Sequence, residues 1–244
     1  MHGFASTAEL VLAILLVAIG ATLQGSIGFG FALLSAPFLE WINPRLVPGP
    51  LVLVVTVLLV LTALRERQAV DFRGIGWVLA GRVPGTVLGA LALTGLTGRA
   101  LTVALGMLVL LAVGLSLLNV NLPRRPPLLV FAGIVSGVMG TTAALGGPAV
   151  AILYQRERPE LMRSTLATYF LVGALLSLPA LAYVGRLGQQ EVELAVLLLP
   201  GILLGFVASN RTGRYLDGSR TRALVLLVAG LAGAVGVVRG LVFW

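Results

Sequence analysis

Two stretches of the chain combine backbone freedom with small polar side chains. The first is Gln24-Gly25-Ser26-Ile27-Gly28-Phe29-Gly30. The second is Ser136-Gly137-Val138-Met139-Gly140-Thr141-Thr142, followed by Gly146-Gly147-Pro148. Glycines lower helix propensity and permit φ > 0, so a chain can break or turn there. Backbone that leaves a helix inside a membrane must be buried in protein or line a wet cavity. The unpaired N–H groups at the start of the next helix then form a positive pole that suits an anion. Gln24, Ser26, Ser136, Thr141 and Thr142 add neutral side-chain donors at the same depth. Two such poles facing one another would hold a small anion without a metal or cofactor.

Arg82 is the one charge deep inside an apolar run. An intramembrane ionisable residue is a functional candidate by default. It follows Arg73 by roughly 13 Å of helical rise, so snorkelling to the interface is the competing reading. Thr165, Thr168 and Tyr169 fall in the first turns of a later segment and could line the same cavity. For Thr165 a hydroxyl bonded to its own helix is the better reading. The expected substrate-binding set is Gln24, Gly25, Ser26, Gly28, Gly30, Arg82, Ser136, Gly137, Gly140, Thr141, Thr142, Thr168 and Tyr169. The competing role for the glycines is close helix packing through small-xxx-small spacings such as Gly133/Gly137, Gly85/Gly89 and Gly201/Gly205. Packing is favoured for the Pro-Gly-xxx-Gly helices, and a site for the stretches with polar company.

The elements that position these residues are membrane helices. Of 244 residues, 58% are hydrophobic and only 11% charged, against roughly 25% charged in an ordinary soluble domain. Mean hydropathy is +1.05. Charge-free or nearly charge-free runs cover Leu10–Leu39, Leu46–Leu64, Gly74–Gly98, Leu101–Pro123, Pro126–Gln155, Ser164–Gly185, Leu194–Asn210 and Ala223–Val238. About 20 apolar residues cross a hydrocarbon core roughly 30 Å thick. The runs lack period-2 alternation, which points to helices rather than barrel strands. The expected fold is an all-α polytopic membrane protein of about eight hydrophobic segments. The first and fifth are too long or too glycine-rich to be simple spans. The first run has no basic residue before it and is too long for a signal-peptide core, so it is read as part of the mature protein.

All 17 basic residues are arginine, and the net charge is +8. Arginine excess marks cytoplasmic loops. If all eight segments cross, the two sides carry seven and nine arginines and no orientation emerges. If the fifth segment, about 128–153, enters and returns, loops 65–73, 119–127, 154–163 and 209–222 hold twelve and the opposite side four. This places the C-terminus outside, and the charge becomes an orientation signal rather than a nucleic-acid footprint. Trp41, Trp77 and Trp244 lie near segment boundaries, as interfacial aromatics do.

The halves also match. Pro84-Gly85-Thr86-Val87-Leu88-Gly89 recurs as Pro200-Gly201-Ile202-Leu203-Leu204-Gly205, and Gly25–Gly28 with Pro37 parallels Gly137–Gly140 with Pro148. Residues 1–120 and 121–244 are therefore read as two membrane repeats, each a glycine-broken hairpin plus three transmembrane helices. An odd number of crossings per unit makes the repeats inverted, an arrangement that puts binding sites where the paired broken segments meet. If so, the first segment is a hairpin as well, although the arginines leave it open between a hairpin and a single span.

Enzyme chemistry finds no support. There is no cysteine, the one histidine is His2, no carboxylate pair lies inside a run, and no lysine exists to complete a P-loop. No Asp or Glu falls deep in a run as an evident proton carrier, so coupling stays open. Two other readings remain: a non-transporting membrane scaffold, and an anion channel.

Gly25-Ser26-Ile27-Gly28-Phe29-Gly30-Phe31-Ala32-Leu33-Leu34-Ser35-Ala36-Pro37 resembles the first signature of the TauE/SafE sulfite-exporter family. Gly133-Ile134-Val135-Ser136-Gly137-Val138-Met139-Gly140 with Gly146-Gly147-Pro148 resembles its second copy. The resemblance spans nearly the whole chain. It implies a multi-pass permease of a prokaryotic inner (cell) membrane, exporting a small anion such as sulfite, a sulfonate or another organic anion. The partners so expected are that anion and the lipid bilayer, with no nucleic acid; a homo-oligomer is left open.

Overall fold

A computed structural model of the chain describes residues 4–28, 30–65, 70–96, 98–118, 120, 122–212 and 218–242. The readings made above at His2, Phe29, Arg67, Arg214 and Trp244 lie outside the described residues. No strand occurs among the described residues. In chain order the helices are α1 (Thr7–Ile27), α2 (Phe31–Ile42), α3 (Gly49–Arg65), α4 (Phe72–Gly95) and α5 (Gly98–Leu117), then α6 (Pro126–Ala143), α7 (Gly147–Tyr154), α8 (Pro159–Tyr183), α9 (Gln189–Thr212) and α10 (Gly218–Val242), with a 3-10 turn at Pro44–Leu46. Seven of them, α1, α4, α5, α6, α8, α9 and α10, are long and apolar enough to cross a membrane. Helix α3, with 17 residues, rises about 25 Å and makes an eighth. Leu88, Leu91, Leu203, Leu204, Val207, Leu227 and Leu231 point outward and stay exposed, as lipid-facing side chains must. The protein is a polytopic α-helical membrane protein.

Local chemistry sets the helix starts. Ser6 Oγ accepts from Glu9 N at 3.2 Å while Glu9 Oε2 accepts from Ala5 N at 2.9 Å, a reciprocal cap on α1. Asp71 Oδ1 accepts from Gly74 N at 2.9 Å and caps α4.

The first and fifth apolar segments each resolve into a long helix and a short one. With 12 and 8 residues, α2 and α7 rise only about 18 and 12 Å, too little to cross. The first break falls at the end of its glycine stretch, and the second falls beyond Thr142. Helix α1 runs on through Gln24 to Ile27, and α6 runs unbroken through Ser136–Thr142 to Ala143. The turns fall at Gly28–Gly30, with φ of 93° and 114° at the two glycines, and at Ala144–Gly146, with φ 58° at Ala144. Glycines within α6 stay helical because they are packing positions. A Cβ on Gly137 would lie 2.7 Å from the Arg82 carbonyl oxygen and from Gly85 Cα.

Both segments are hairpins. Ser35 Oγ of α2 donates to Leu16 O of α1 at 3.4 Å, so α2 returns toward the end where α1 began. At the second hairpin Arg124 Nη2 meets Glu157 Oε1 at 2.6 Å, and Gln155 Nε2 donates to Val120 O at 2.8 Å. The chain before α6 and after α7 therefore lies at one end of the bundle. The same end holds the α3–α4 connection, where Asp71 meets Arg124 at 3.4 Å, and the end of α9, where Arg65 Nη1 donates to Asn210 Oδ1 at 2.7 Å. The opposite end gathers Arg45, bonded to Gln190 at 3.1 Å, Arg99, bonded to Leu241 O at 2.6 Å, and Arg186, bonded to Leu93 O at 2.9 Å.

Helices α6–α10 repeat the order of α1–α5: long, short, then three more. Their packing partners repeat too. Helix α4 lies along α6 as α9 lies along α1, and α5 meets α7 as α10 meets α2. Gly85 and Gly89 abut Ile134 and Val138, while Gly201 and Gly205 abut Ile14 and Ala18. The Pro-Gly-xxx-Gly helices thus use their glycines for close packing.

Candidate functional site

The two hairpin turns face each other across a cavity of about 60 Å³. Taking about 15 Å³ per water, this holds about four waters or one small oxyanion. Gln24 and Gly30–Leu33 line it from the first hairpin, Gly140 and Ala144–Pro148 from the second. Val52, Val55 and Leu59 of α3, Arg82 of α4, and Phe170 and Ala174 of α8 complete the wall. The N-terminus of α2 and that of α7 both open onto this space. Neither Gly30 nor Gly146, their N-cap residues, supplies a side-chain cap. Phe31 N is held only by a 3.3 Å bond to Gln24 Oε1. Pro148 has no N–H, so the orphan donors of α7 are Gly147 and Ala149.

Arg82 is 3% exposed. Its Nη1 donates to Ser136 O at 2.8 Å and Ser136 Oγ at 3.0 Å. Its Nη2 donates to Gly173 O at 3.2 Å and Ser177 Oγ at 3.3 Å. The Nε is buried with no hydrogen-bond partner. The Tyr169 ring centroid lies 5.7 Å from Cζ. Every partner is neutral, and among the described residues no carboxylate pairs with this guanidinium. Burying an unpaired charge is costly, and neutral dipoles compensate it only in part. A cation so held, beside the N-termini of α2 and α7, makes the cavity electropositive and leaves it short of one negative charge.

Ser136 Oγ is the junction of this network. It accepts from Arg82 and from Tyr169 OH at 2.8 Å and donates to Gly146 O at 2.6 Å, so it ties α4, α6 and α8 to the second turn. Thr141 Oγ1 and Ser177 Oγ lie 2.9 Å apart, which steadies the other arm of the fork. Of the expected residues, Gln24, Gly30, Arg82 and Gly140 reach the cavity itself, and Ser136, Thr141 and Tyr169 reach it through Arg82. The structure does not bring the others there. Gly25 O accepts from Arg65 at 2.6 Å, Ser26 Oγ lies 3.4 Å from Thr212 Oγ1, and Gly28 sits under Arg163. Gly137 packs on α4. Thr142 and Thr168 bond back to Val138 O and Ser164 O at 2.7 and 2.9 Å. Thr165, by contrast, accepts from Asp71 N at 3.1 Å.

The model of the family described as "Sulfite exporter TauE/SafE" matches residues 12–236. The chain belongs to this family. Neither a search of curated proteins nor one of solved structures finds a match. TauE/SafE proteins are membrane transporters, which agrees with the helical bundle and its central cavity.

Several cavity residues escape a reading by sequence. Val52, Val55 and Leu59 are apolar residues in an apolar helix, and nothing in their pattern separates wall from core. Gly173 contributes a carbonyl, which no side-chain signal reveals. Ser177 lies in an apolar run beyond Tyr169, and only its hydroxyl could have drawn notice.

Proposed function

We propose that the protein is a secondary transporter of a small anion, bound between the N-termini of α2 and α7 beside Arg82. The observation that carries this reading is a buried guanidinium with neutral partners only, set in a cavity onto which two helix starts converge, that of α7 without a side-chain cap and that of α2 held by Gln24. Membership of a sulfite-exporter family supports a sulfur oxyanion, a sulfonate or a related organic anion as the cargo. The matching order and partners of α1–α5 and α6–α10 support an inverted repeat of two units, 1–120 and 121–244, around the site. The arginine-rich end, with loops 65–73, 119–127, 154–163 and 209–222, is then cytoplasmic, and the C-terminus lies outside a prokaryotic inner membrane. In proteoliposomes the protein should exchange radiolabelled sulfite or sulfoacetate across the bilayer. Folded protein that moves none of a broad anion panel would overturn the reading.

A further inference from the structure

Glu40 follows the first apolar run and reads, from sequence, as the start of a polar loop. In the fold it belongs to the last turn of α2, and it is 6% exposed. Its one hydrogen bond comes from Thr102 Oγ1 of α5 at 2.7 Å, and no cation among the described residues forms an ion pair with it. By sequence no Asp or Glu falls deep in a run as an evident proton carrier; Glu40, just past the end of one, is buried all the same. The missing signal was burial contributed by α5 and α10, which sequence position cannot show.

The charged groups on the elements packed against α2 at this end are few. Arg239 of α10 acts on the carboxylate through space. Arg99 of α5 is bonded to Leu241 O at 2.6 Å, Glu9 of α1 caps its own helix, and Arg45 in the 3-10 turn is bonded to Gln190 at 3.1 Å. Helix α3 brings no charge to this end, since Arg65 lies at the other.

We propose that Glu40 is the proton-binding residue that couples transport to a pH gradient, moving one proton in the same direction as each anion. This rests on the anion-carrier reading given above. Its warrant is geometric. Helix α2 carries Phe31–Leu33 of the cavity wall at its N-terminus and Glu40 in its last turn, about 13 Å along one helix that contains Pro37. A buried carboxyl group changes by a full charge on protonation, where that charge is poorly screened. Its acceptor role toward Thr102 ties α2 to α5, which packs in turn on α7, the helix whose N-terminus forms the opposite cavity wall. Protonation adds a donor to Glu40, removes its attraction to Arg239 and loosens α2 at the seam between the hairpins. The proton comes from water on one side and leaves to water on the other; no other bond changes.

The test uses proteoliposomes, radiolabelled sulfite and a clamped membrane potential. Wild-type protein should accumulate sulfite on the alkaline side when a pH gradient is imposed. E40Q should lose at least tenfold of that accumulation yet keep sulfite–sulfite exchange within about threefold of wild type. E40D, which retains a titratable carboxyl, should restore part of the pH-driven accumulation. Infrared difference spectra between acid and alkaline pH should show a carboxylic-acid band that E40Q lacks. Full pH-driven accumulation in E40Q, accumulation on the acid side, or no band assignable to Glu40 would each overturn the proposal while leaving the carrier reading intact. A wild-type protein without exchange would overturn the carrier reading and the coupling with it.

Discussion

At the scale of single residues the site turns on Arg82 and the side chains that hold it. A guanidinium offers five donors in a planar fork. Four are committed to Ser136, Gly173 and Ser177, and the fifth, Nε, is free. The fork fixes position; the uncompensated charge is what an anion would answer. R82Q removes the charge, and R82K keeps it but replaces the fork by a point. Bound anion should raise the melting temperature of the wild type, since a ligand at about 100 times its Kd stabilises by about 2.7 kcal/mol. In R82Q that shift should vanish and sulfite flux should fall at least tenfold, with R82K intermediate. An anion-induced shift of wild-type size in R82Q would remove Arg82 from the site. Ser136 makes a second case. S136A leaves Gly146 O and Tyr169 OH without their partner and should cost about 1–3 kcal/mol of stability. Y169F, which removes a single donor, should cost about 1 kcal/mol. Thermal unfolding in detergent measures both.

At the scale of elements the glycines divide into two kinds, and one substitution type separates them. On Gly85 a Cβ would run into the Ile134 carbonyl oxygen, and on Gly137 it would fall 2.7 Å from the backbone of Gly85. Backbone cannot yield, so G85A and G137A should push α4 off α6 and destabilise the fold by about 1–3 kcal/mol. On Gly140 the obstructing atoms are Arg82 Nη2 and Nη1 at 2.5 and 2.6 Å. A side chain can shift, so G140A should keep the fold and displace the guanidinium, which lowers flux more than melting temperature. Comparing melting temperature with flux across the three variants checks the division. The same helices mark what sequence made legible. Charge-free runs marked the spans, and the arginine tally gave an orientation only when the fifth segment, about 128–153, turned back. Excess length and polar glycines pointed to both hairpins. The position of the second break was less legible, because Ser136–Thr142 has the composition of a turn but the packing of a helix. Whether a glycine marks a break or a contact depends on the neighbour it meets. Gly85 meets Ile134 from the other half of the chain, so the window around it carries no trace of that contact. Glu40 was missed for the same reason.

At the scale of the whole molecule the fold makes a claim about sides. If α6 and α7 form a hairpin, positions 122 and 157 face the same solution; eight plain crossings would put them on opposite ones. The contact of Arg124 with Glu157 at 2.6 Å requires the former. The proposed orientation puts the arginine-rich end in the cytoplasm, where basic loops are retained. The chain contains no cysteine, so single cysteines introduced at 122, 157, 45 and 188 can be read without background. A membrane-impermeant maleimide applied to right-side-out vesicles should label positions 45 and 188 and spare 122 and 157; inverted vesicles should reverse the pattern. Labelling of 122 and 157 from opposite sides would break the hairpin and the inverted repeat with it. Labelling of both from outside would keep the hairpin but reverse the orientation, and with it the side from which Glu40 takes its proton. The topology experiment therefore bears on mechanism as well as architecture. A carrier built from two inverted units can expose one central site to either side by exchanging the conformations of its halves. That exchange requires the two hairpins to enter from opposite faces; the labels at 122 and 157 report the face of the second, and the label at 45 the face to which the first returns.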